Sequence, residues 1–354
     1  MKGIILHGGH GTRLRPLTHT GPKQLLPIAN KPMSQYGIEA MISAGIKDIA
    51  IIVGGIGKNK VKEYYGDGGN FGVKFEYIEQ DKPRGISHAI SLCENFVGNE
   101  KFVVFLGDNI LKDNIAKYIQ EFEKSSAEAS IVLCEVNNPT RFGIAEVKDG
   151  RIIQIVEKPK NPPSNLAVIG VYLLKNSIFK IIKNLKPSWR NELEITDALQ
   201  MLLEQNSEII YNTVSENWKD TGTPEDIIDA NKIILKDLED YLDGTIEDDV
   251  KISGKLMIGK NSVIKKGCVL EGPLIIGSNC IIDSHAHIGP NSSIGDNSKI
   301  SKCRISDSII MSDCLIDCKK TISKSIISTN SEITENNVND DKILLLGEGT
   351  KITL

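Results

Sequence analysis

A chain of 354 residues with 40% hydrophobic side chains can bury a full-sized core and is expected to form two domains. No stretch approaches the roughly 18 consecutive apolar residues of a membrane span, and MKGIIL runs straight into a strand pattern in place of a secretion signal, so a soluble, cytoplasmic protein without a membrane partner is expected. The formal charge of -4 argues against broad nucleic-acid binding and leaves any functional cations local. The cysteines number seven, show no CxxC pair and fall mostly beyond residue 260, which speaks against a disulfide framework or a zinc site.

The first element is the apolar run Gly3 to Leu6, followed by LHGGHGTRLRPLT (Leu6 to Thr18). One glycine would serve a plain turn. Gly8, Gly9 and Gly11 ahead of Arg13 and Arg15 instead suit backbone amides approaching an anion. The loop is neither a Walker A nor a GxGxxG motif by spacing, and alone it is a weak signal. PKQLLPIANKP (Pro22 to Pro32) then sets Lys23 on a proline-bounded loop where packing needs no charge. Cations beside free amides suggest a triphosphate.

Strand patterns follow at Asp48 to Val53, Lys101 to Gly107, Ala129 to Val136 and Ala167 to Leu174. Helix-like segments at Ser34 to Ala44, Gly85 to Phe96, Asn114 to Lys124 and Thr196 to Glu204 alternate with them. This is the pattern of βαβ units and a largely parallel sheet, its apolar strands covered on both faces. A last helix starts at TPED, with Thr223 as cap, Pro224 in the first turn and Asp226 at the positive dipole end, and is expected to reach about Leu242 and stop at Gly244.

From there the period is six. Ile246, Ile252, Ile258, Ile264, Leu270, Ile276, Ile282, Ile288, Ile294 and Ile300 recur without a break, and the position four later is apolar or small: Val250, Leu256, Ser262, Cys268, Leu274, Cys280, Ala286, Ser292 and Ser298. One large and one small inward residue per short strand is what a triangular parallel β-helix needs, three hexads to a coil. The repeat loosens after Ser301, while Ile309, Ile316 and Ile326 suggest that another coil or two continues. LLLGEGTKITL at the end has no assignment.

LHGGHGTRLRPLT followed by PKQLLPIANKPM resembles the signature of the sugar-1-phosphate nucleotidylyltransferases. IEQDKPRGISHA, FLGDN, FGIAEV, EKPKNP, AVIGVY, PSWRNELEITDA and WKDTGTPED follow in that family's order. The likeness covers residues 1 to about 235, and the β-helix tail places it with the long-form glucose-1-phosphate thymidylyltransferases. The resemblance implies an α/β, Rossmann-like nucleotidyltransferase domain with a mixed, mostly parallel sheet over 1–240, then a left-handed β-helix over 245–335 and a tail over 336–354. It implies that a glucose 1-phosphate oxygen attacks the α-phosphorus of dTTP, giving dTDP-glucose and pyrophosphate. The nucleophile is already an anion, so catalysis should be positioning plus electrostatics, with cations and a metal as the equipment.

Asp108, in FLGDN, stands at the carboxyl end of an apolar strand, where open α/β sheets place ligands. By resemblance Asp108 and Asp220 hold Mg²⁺, and Arg13 and Lys23 neutralise the triphosphate and the leaving pyrophosphate. Leu6, Gly8, Gly9, Gly11 and Thr12 complete the nucleotide loop. Gln80 pairs with the pyrimidine edge, Gly85 lets the base approach the backbone, and Leu106 packs on the ring. On the sugar side Glu157 takes hydroxyls, Lys158 and Arg190 meet the phosphate, and Gly143, Val168 and Tyr172 line the pocket. For Val168, core packing competes with that role. Glu157 and Lys158 are adjacent and share a site only if their strand ends there, as Pro159 leads one to expect.

Two residues depart from the family pattern: His7, where a small residue is usual, and Asn191, where glycine is usual. Uracil and thymine differ by one methyl, worth about 1 kcal/mol, so a UTP-dependent enzyme stays open as an alternative. His285 and His287 fall at outward positions of the hexads, which raises acetyl transfer by the β-helix as a second activity, although outward polar residues there are usually just solvated. A non-catalytic subunit is disfavoured because the cations and carboxylates are all present. A homo-oligomer is expected.

Overall fold

The run KGIILH forms the strand Lys2–His7 in the middle of a nine-stranded sheet. In this computed structural model, which describes residues 1–9, 11–55, 57–215 and 217–335, Lys2–His7 pairs in parallel with Asp48–Val53 on one side and Phe102–Leu106 on the other. Asp48–Val53 pairs in parallel with Lys74–Glu79. Beyond Phe102–Leu106 the sheet turns antiparallel through Leu166–Leu174, which also pairs with Ala129–Glu135. A hairpin of Gly143–Lys148 and Arg151–Glu157 and the parallel strand Ile209–Val214 complete it. The sheet is thus mixed and mostly parallel, as expected for an α/β nucleotidyltransferase domain.

Strand alternation sends Ile4, Ile52 and Val104 into one core and Ile5, Ile51, Val103 and Phe105 into the other, all 0% exposed. The first core is closed by Ile90 and Leu199, the second by Ile38, Met41 and Phe122. Helices Met33–Ser43, Ala116–Lys124 and Ile195–Glu204 lie where their periodicity predicts. The expected helix over Gly85 to Phe96 is instead two, Ile86–Ser91 and Glu94–Val97.

The chain divides into two compact units: Met1–His10, Thr20–Leu25 and Met33–Asp220 form one, and Gly11–His19, Leu26–Pro32 and Thr221–Leu354 the other. In the second, Thr223 caps the helix Pro224–Leu235 with a full capping box to Asp226. That helix is shorter than the expected run to Leu242, because Tyr241–Leu242 is already a strand of the first coil, paired with Met257–Ile258.

The β-helix is three stacks of short parallel strands, the arrangement of the expected left-handed form. Ile258, Ile276, Ile294 and Ile310 succeed one another in one stack, and Ile264, Ile282, Ile300 and Ile316 in the next. The third runs Leu270, Ile288, Ile305 and Ile322. All but Ile322 are 1% exposed or less. Cys268, Cys280, Cys303, Cys314 and Cys318 fill the same core as small apolar side chains. Among the described residues no strand is stacked before the strand Lys251–Ser253, and Ile252, expected inward, is 46% exposed.

One corner carries Asn261, Asn279 and Asn297 at φ 60°, 56° and 59°. Each donates its side-chain amide to the next, at 3.1 Å from Asn261 to Asn279 and again from Asn279 to Asn297, and Asn297 donates to Asp313 at 3.0 Å. Asparagine tolerates the left-handed conformation that a tight corner requires. The tail over 336–354 lies outside the described residues. Among the described residues no helix is long and apolar enough to cross a membrane.

Candidate active site

The strand Phe102–Leu106 hands the chain through Gly107 to Asp108. Asn109–Leu111 then pairs antiparallel with Trp218–Asp220, with Asp220 opposite Asn109, so Asp220 lies one register position from Asp108 although distant from it in sequence. Trp218 Nε1 donates to Asn109 Oδ1 at 2.7 Å, and Asn109 Nδ2 donates to Asp108 Oδ1 at 3.0 Å, which fixes the carboxylate's direction. The Lys23 ammonium lies 2.7 Å from Asp108 Oδ2. Lys23 is only 7% exposed, so the proline-bounded loop delivers it to the sheet and not to solvent. Burial pushes the Asp108 carboxyl up, but the Lys23 charge and the hydrogen bonds from Lys23 and Asn109 outweigh it and hold Asp108 below the usual range.

Asp220 lies 3.9 Å from the Arg141 guanidinium. Two carboxylates with oxygen donors only, one already turned toward a cation, fit a hard divalent ion that keeps waters and phosphates as its other ligands. Among the described residues no group of three or more His, Cys, Asp or Glu could enclose a metal by itself.

The glycine loop begins after Leu6, which is 6% exposed in the first strand. Gln24, which motif reading passed over, donates Nε2 to the Gly8 carbonyl at 2.8 Å and so anchors the loop's start. Gly9 turns at φ 92° and Gly11 at φ 57°; the first of these is a conformation that side chains rarely adopt. Thr12 and Arg13 sit exposed on the turn Thr12–Leu14, where the Thr18 hydroxyl donates to the Gly11 carbonyl at 2.8 Å.

His7 is 1% exposed, its ring edge-on to Tyr65 with centroids 6.0 Å apart. Among the described residues neither ring nitrogen has a hydrogen-bond partner. Burial, only partly opposed by the Asp108 charge, drops its pKa to about 3 and keeps it neutral. The unusual residue is therefore packed beneath the sheet end, not extended along the loop.

Gln80 is 6% exposed, its Oε1 facing Gly8. Its Nε2 lies 2.8 Å from His88 Nδ1 and 3.4 Å from the Gly85 carbonyl. His88 is a second residue that motif reading missed. Gly85 has φ 101°, and a Cβ there would clash with the Leu193 carbonyl oxygen. The glycine thus serves the close approach of that backbone whether or not a base is present. Leu106 is half-buried at its strand end.

Glu157, Lys158, Arg190 and Gly143, expected on the sugar side, lie close together. The strand Arg151–Glu157 ends at Glu157, Lys158 adopts φ 41°, and the two side chains lie 3.6 Å apart. Thr196 Oγ1 donates to Glu157 Oε2 at 3.0 Å. Arg190 reaches Glu157 at 3.5 Å, Glu192 at 3.1 Å and Glu194 at 3.2 Å. Burial first and then the nearby Glu194 push the Glu157 carboxyl above its usual range, against Lys158 and Arg190. Gly143 pairs opposite Glu157, and a Cβ on it would strike Thr196 Cγ2.

Tyr172 is 3% exposed, and after burial the charges of Glu157, Asp108 and Glu194 all push its hydroxyl up. Val168 is 7% exposed within the main core, where the register of its strand shifts. Asn191 takes φ 60°, which explains why asparagine stands where glycine is usual. In the β-helix His285 is exposed at a corner of φ 66°, while His287 Nε2 lies 3.1 Å from Glu271.

Comparison with known proteins accords with this arrangement. Residues 2–237 match the nucleotidyl transferase family, and residues 270–353 match the GMPPB C-terminal domain. The chain is 47% identical over 263 residues to the low-salt glycan biosynthesis nucleotidyltransferase Agl11 of Haloferax volcanii, covering 74% of each chain. It is 40% identical over 264 residues to a glucose-1-phosphate thymidylyltransferase of Streptomyces antibioticus, again over 74% of each. A crystal structure from Bacillus anthracis assigned to the glucose-1-phosphate thymidylyltransferases superposes with TM-score 0.64 at 43% identity, over 68% of this chain and 98% of that one. The chain belongs to the nucleotidyl transferase family, as a sugar-1-phosphate nucleotidyltransferase close to the glucose-1-phosphate thymidylyltransferases.

Proposed function

We propose that the protein joins dTTP and glucose 1-phosphate to give dTDP-glucose and pyrophosphate, in the cytoplasm, a setting that suits seven unpaired cysteines. The observation that carries the reading is the Lys23–Asp108 pair at 2.7 Å with Asp220 opposite the next residue, Asn109. A buried cation and two carboxylates at a sheet end are what a triphosphate and its metal need. Asp108 and Asp220 would hold Mg²⁺, which when bound supplies positive charge to the phosphates. Lys23, with Arg13, offsets charge on the triphosphate and on the departing pyrophosphate. Lys158 and Arg190 steer the sugar phosphate, and Glu157 takes hydroxyls of the sugar. The loop amides at Gly8, Gly9 and Gly11, with Leu6 and Thr12, line the nucleotide, while Gln80, Gly85 and Leu106 face the base.

Gln80 offers an amide to an edge that uracil and thymine share, so UTP is the second reading. A similarity to a UDP-glucose pyrophosphorylase complexed with UDP-glucose, with TM-score 0.60 at 30% identity, favours keeping it. Pyrophosphate release with Mg²⁺, comparing dTTP with UTP and glucose with N-acetylglucosamine 1-phosphate, tests the reading. Preference for dTTP and glucose 1-phosphate is expected. Preference for UTP with the amino sugar would overturn it, and would make acetyl transfer at His285 and His287 the next activity to assay.

A further inference from the structure

Away from the sheet end, the second unit holds a cleft of about 400 Å³ whose lining includes Lys232, Lys236, Gly254, Lys255, Gly272 and Asn291. Its floor is one corner of two successive coils. A Cβ at Gly254, where φ is 74°, would lie 2.8 Å from the Gly272 carbonyl oxygen, and one at Gly272 would clash with the Lys255 carbonyl oxygen. The corner is therefore stripped of side chains, and the wall above it is cationic.

Lys232 is held in place by Asp307, at 3.0 Å, and Asn291 Nδ2 donates to the same carboxylate oxygen at 3.0 Å. Among the described residues Lys236 and Lys255 have no carboxylate within ion-pairing distance, and both are exposed. Three ammonium groups thus line one cleft whose lining holds no carboxylate, with Asp307 on Lys232 and Asp240 on the Leu256 amide beside Lys255 as the neighbouring acids, in a chain whose formal charge is -4. Like charges gathered in excess of their counter-charges repel, and an anion relieves that repulsion. Lys232 and Lys236 also complement the negative end of their helix, but Lys255 comes from the β-helix and has no such reason to be there.

We infer that this cleft is a second ligand site, which takes a small phosphorylated compound by its phosphate or diphosphate group. The volume exceeds what one phosphate needs and falls in the range of small-molecule sites, roughly 300–1,000 Å³. Lys236 and Lys255 meet the phosphate oxygens while Lys232, oriented by Asp307, closes the third side. The assignment does not depend on which nucleotide or sugar the enzyme uses.

Calorimetric titration of the full chain with inorganic phosphate, and separately with pyrophosphate, tests it in three proteins: wild type, Lys23→Ala, and the double variant Lys236→Gln/Lys255→Gln. One class of binding should survive Lys23→Ala and weaken by at least about tenfold in the double variant. The double variant should keep the wild-type rate of pyrophosphate release and its melting temperature, and Lys236→Arg/Lys255→Arg should restore binding. Response to both probes identifies a general phosphate site, and response to pyrophosphate alone identifies a diphosphate group. Equal binding by wild type and the double variant overturns the proposal, as does loss of all binding in Lys23→Ala.

Discussion

The Lys23 ammonium and Asp108 Oδ2 lie 2.7 Å apart although 85 positions separate them in sequence, one on the short helix Lys23–Leu25 and the other just past the strand Phe102–Leu106. The Lys23 charge helps to hold the carboxylate ionised, and in the proposed function this pair receives the metal and the triphosphate. Replacing Lys23 with alanine should lower turnover by about 10²–10³-fold while the far-ultraviolet circular dichroism stays that of the wild type. Pyrophosphate release at saturating substrates measures this, and an unchanged rate would remove Lys23 from catalysis. Asp108→Asn should likewise abolish most turnover, and its loss should not be recovered by raising Mg²⁺.

His88 positions Gln80. Because the Gln80 amide donates, His88 Nδ1 at 2.8 Å must accept, which needs a neutral ring protonated on Nε2. Burial, then the Arg84 charge, lowers the His88 pKa below its ordinary 6.5. The unfolded chain therefore takes up this proton first as pH falls, so the stability this group contributes is complete above pH 6.5 and lost in more acid solution. The KM for the nucleoside triphosphate should be flat between pH 7 and 8 and rise below the lowered pKa. His88→Ala should raise that KM about fivefold to tenfold with kcat little changed. A kcat effect without a KM effect would show that His88 does not act through base binding.

In the proposed function Glu157 trades stability for binding. Its folded-state pKa is raised by burial and by Glu194, so its favourable contribution is present below the unfolded value of 4.5 and disappears as pH rises through the folded one. Above the folded value the ionised side chain costs stability. Glu157→Gln should melt higher than wild type at pH 7 and no higher near pH 4, while its KM for sugar 1-phosphate rises about tenfold. Thermal unfolding at the two pH values, together with initial rates, checks both halves. A melting temperature lowered at pH 7 would contradict the sign.

The asparagine corner of the β-helix supplies a stability test with no bearing on the active site. Asn279, at φ 56°, both accepts from Asn261 and donates to Asn297. Asn279→Val should cost about 1–2 kcal/mol from the left-handed conformation alone, with the broken ladder in addition. Asn279→Gly keeps the conformation and should lose less. Urea unfolding of the two variants decides it, and equal stability would mean that the corner does not constrain the residue.

Sequence alone determined much of this protein. A six-residue aliphatic period has one compact solution, and from Ile246 onward it predicted the three strand stacks because every coil repeats the same local geometry. Near-continuous apolar runs such as FVVFL predicted buried strands, and TPED predicted a helix start, since capping is decided within four residues. The ordered motifs pointed to Lys23, Asp108, Glu157, Lys158, Arg190 and Asp220.

Tertiary structure decided what those residues touch. No spacing rule connects Lys23 to Asp108 or lays Asp220 opposite Asn109, because those contacts follow from strand order and register. The helix after Thr223 ends at Leu235, since pairing with Met257–Ile258 claims Tyr241–Leu242 against its helical pattern. Gln24 and His88 escaped motif reading for the same reason: each works through another residue, and a hydrogen bond between distant side chains leaves no period in the sequence. The lysine cleft is likewise made by the fold, which brings Lys232 and Lys236 from a helix to Lys255 on a coil.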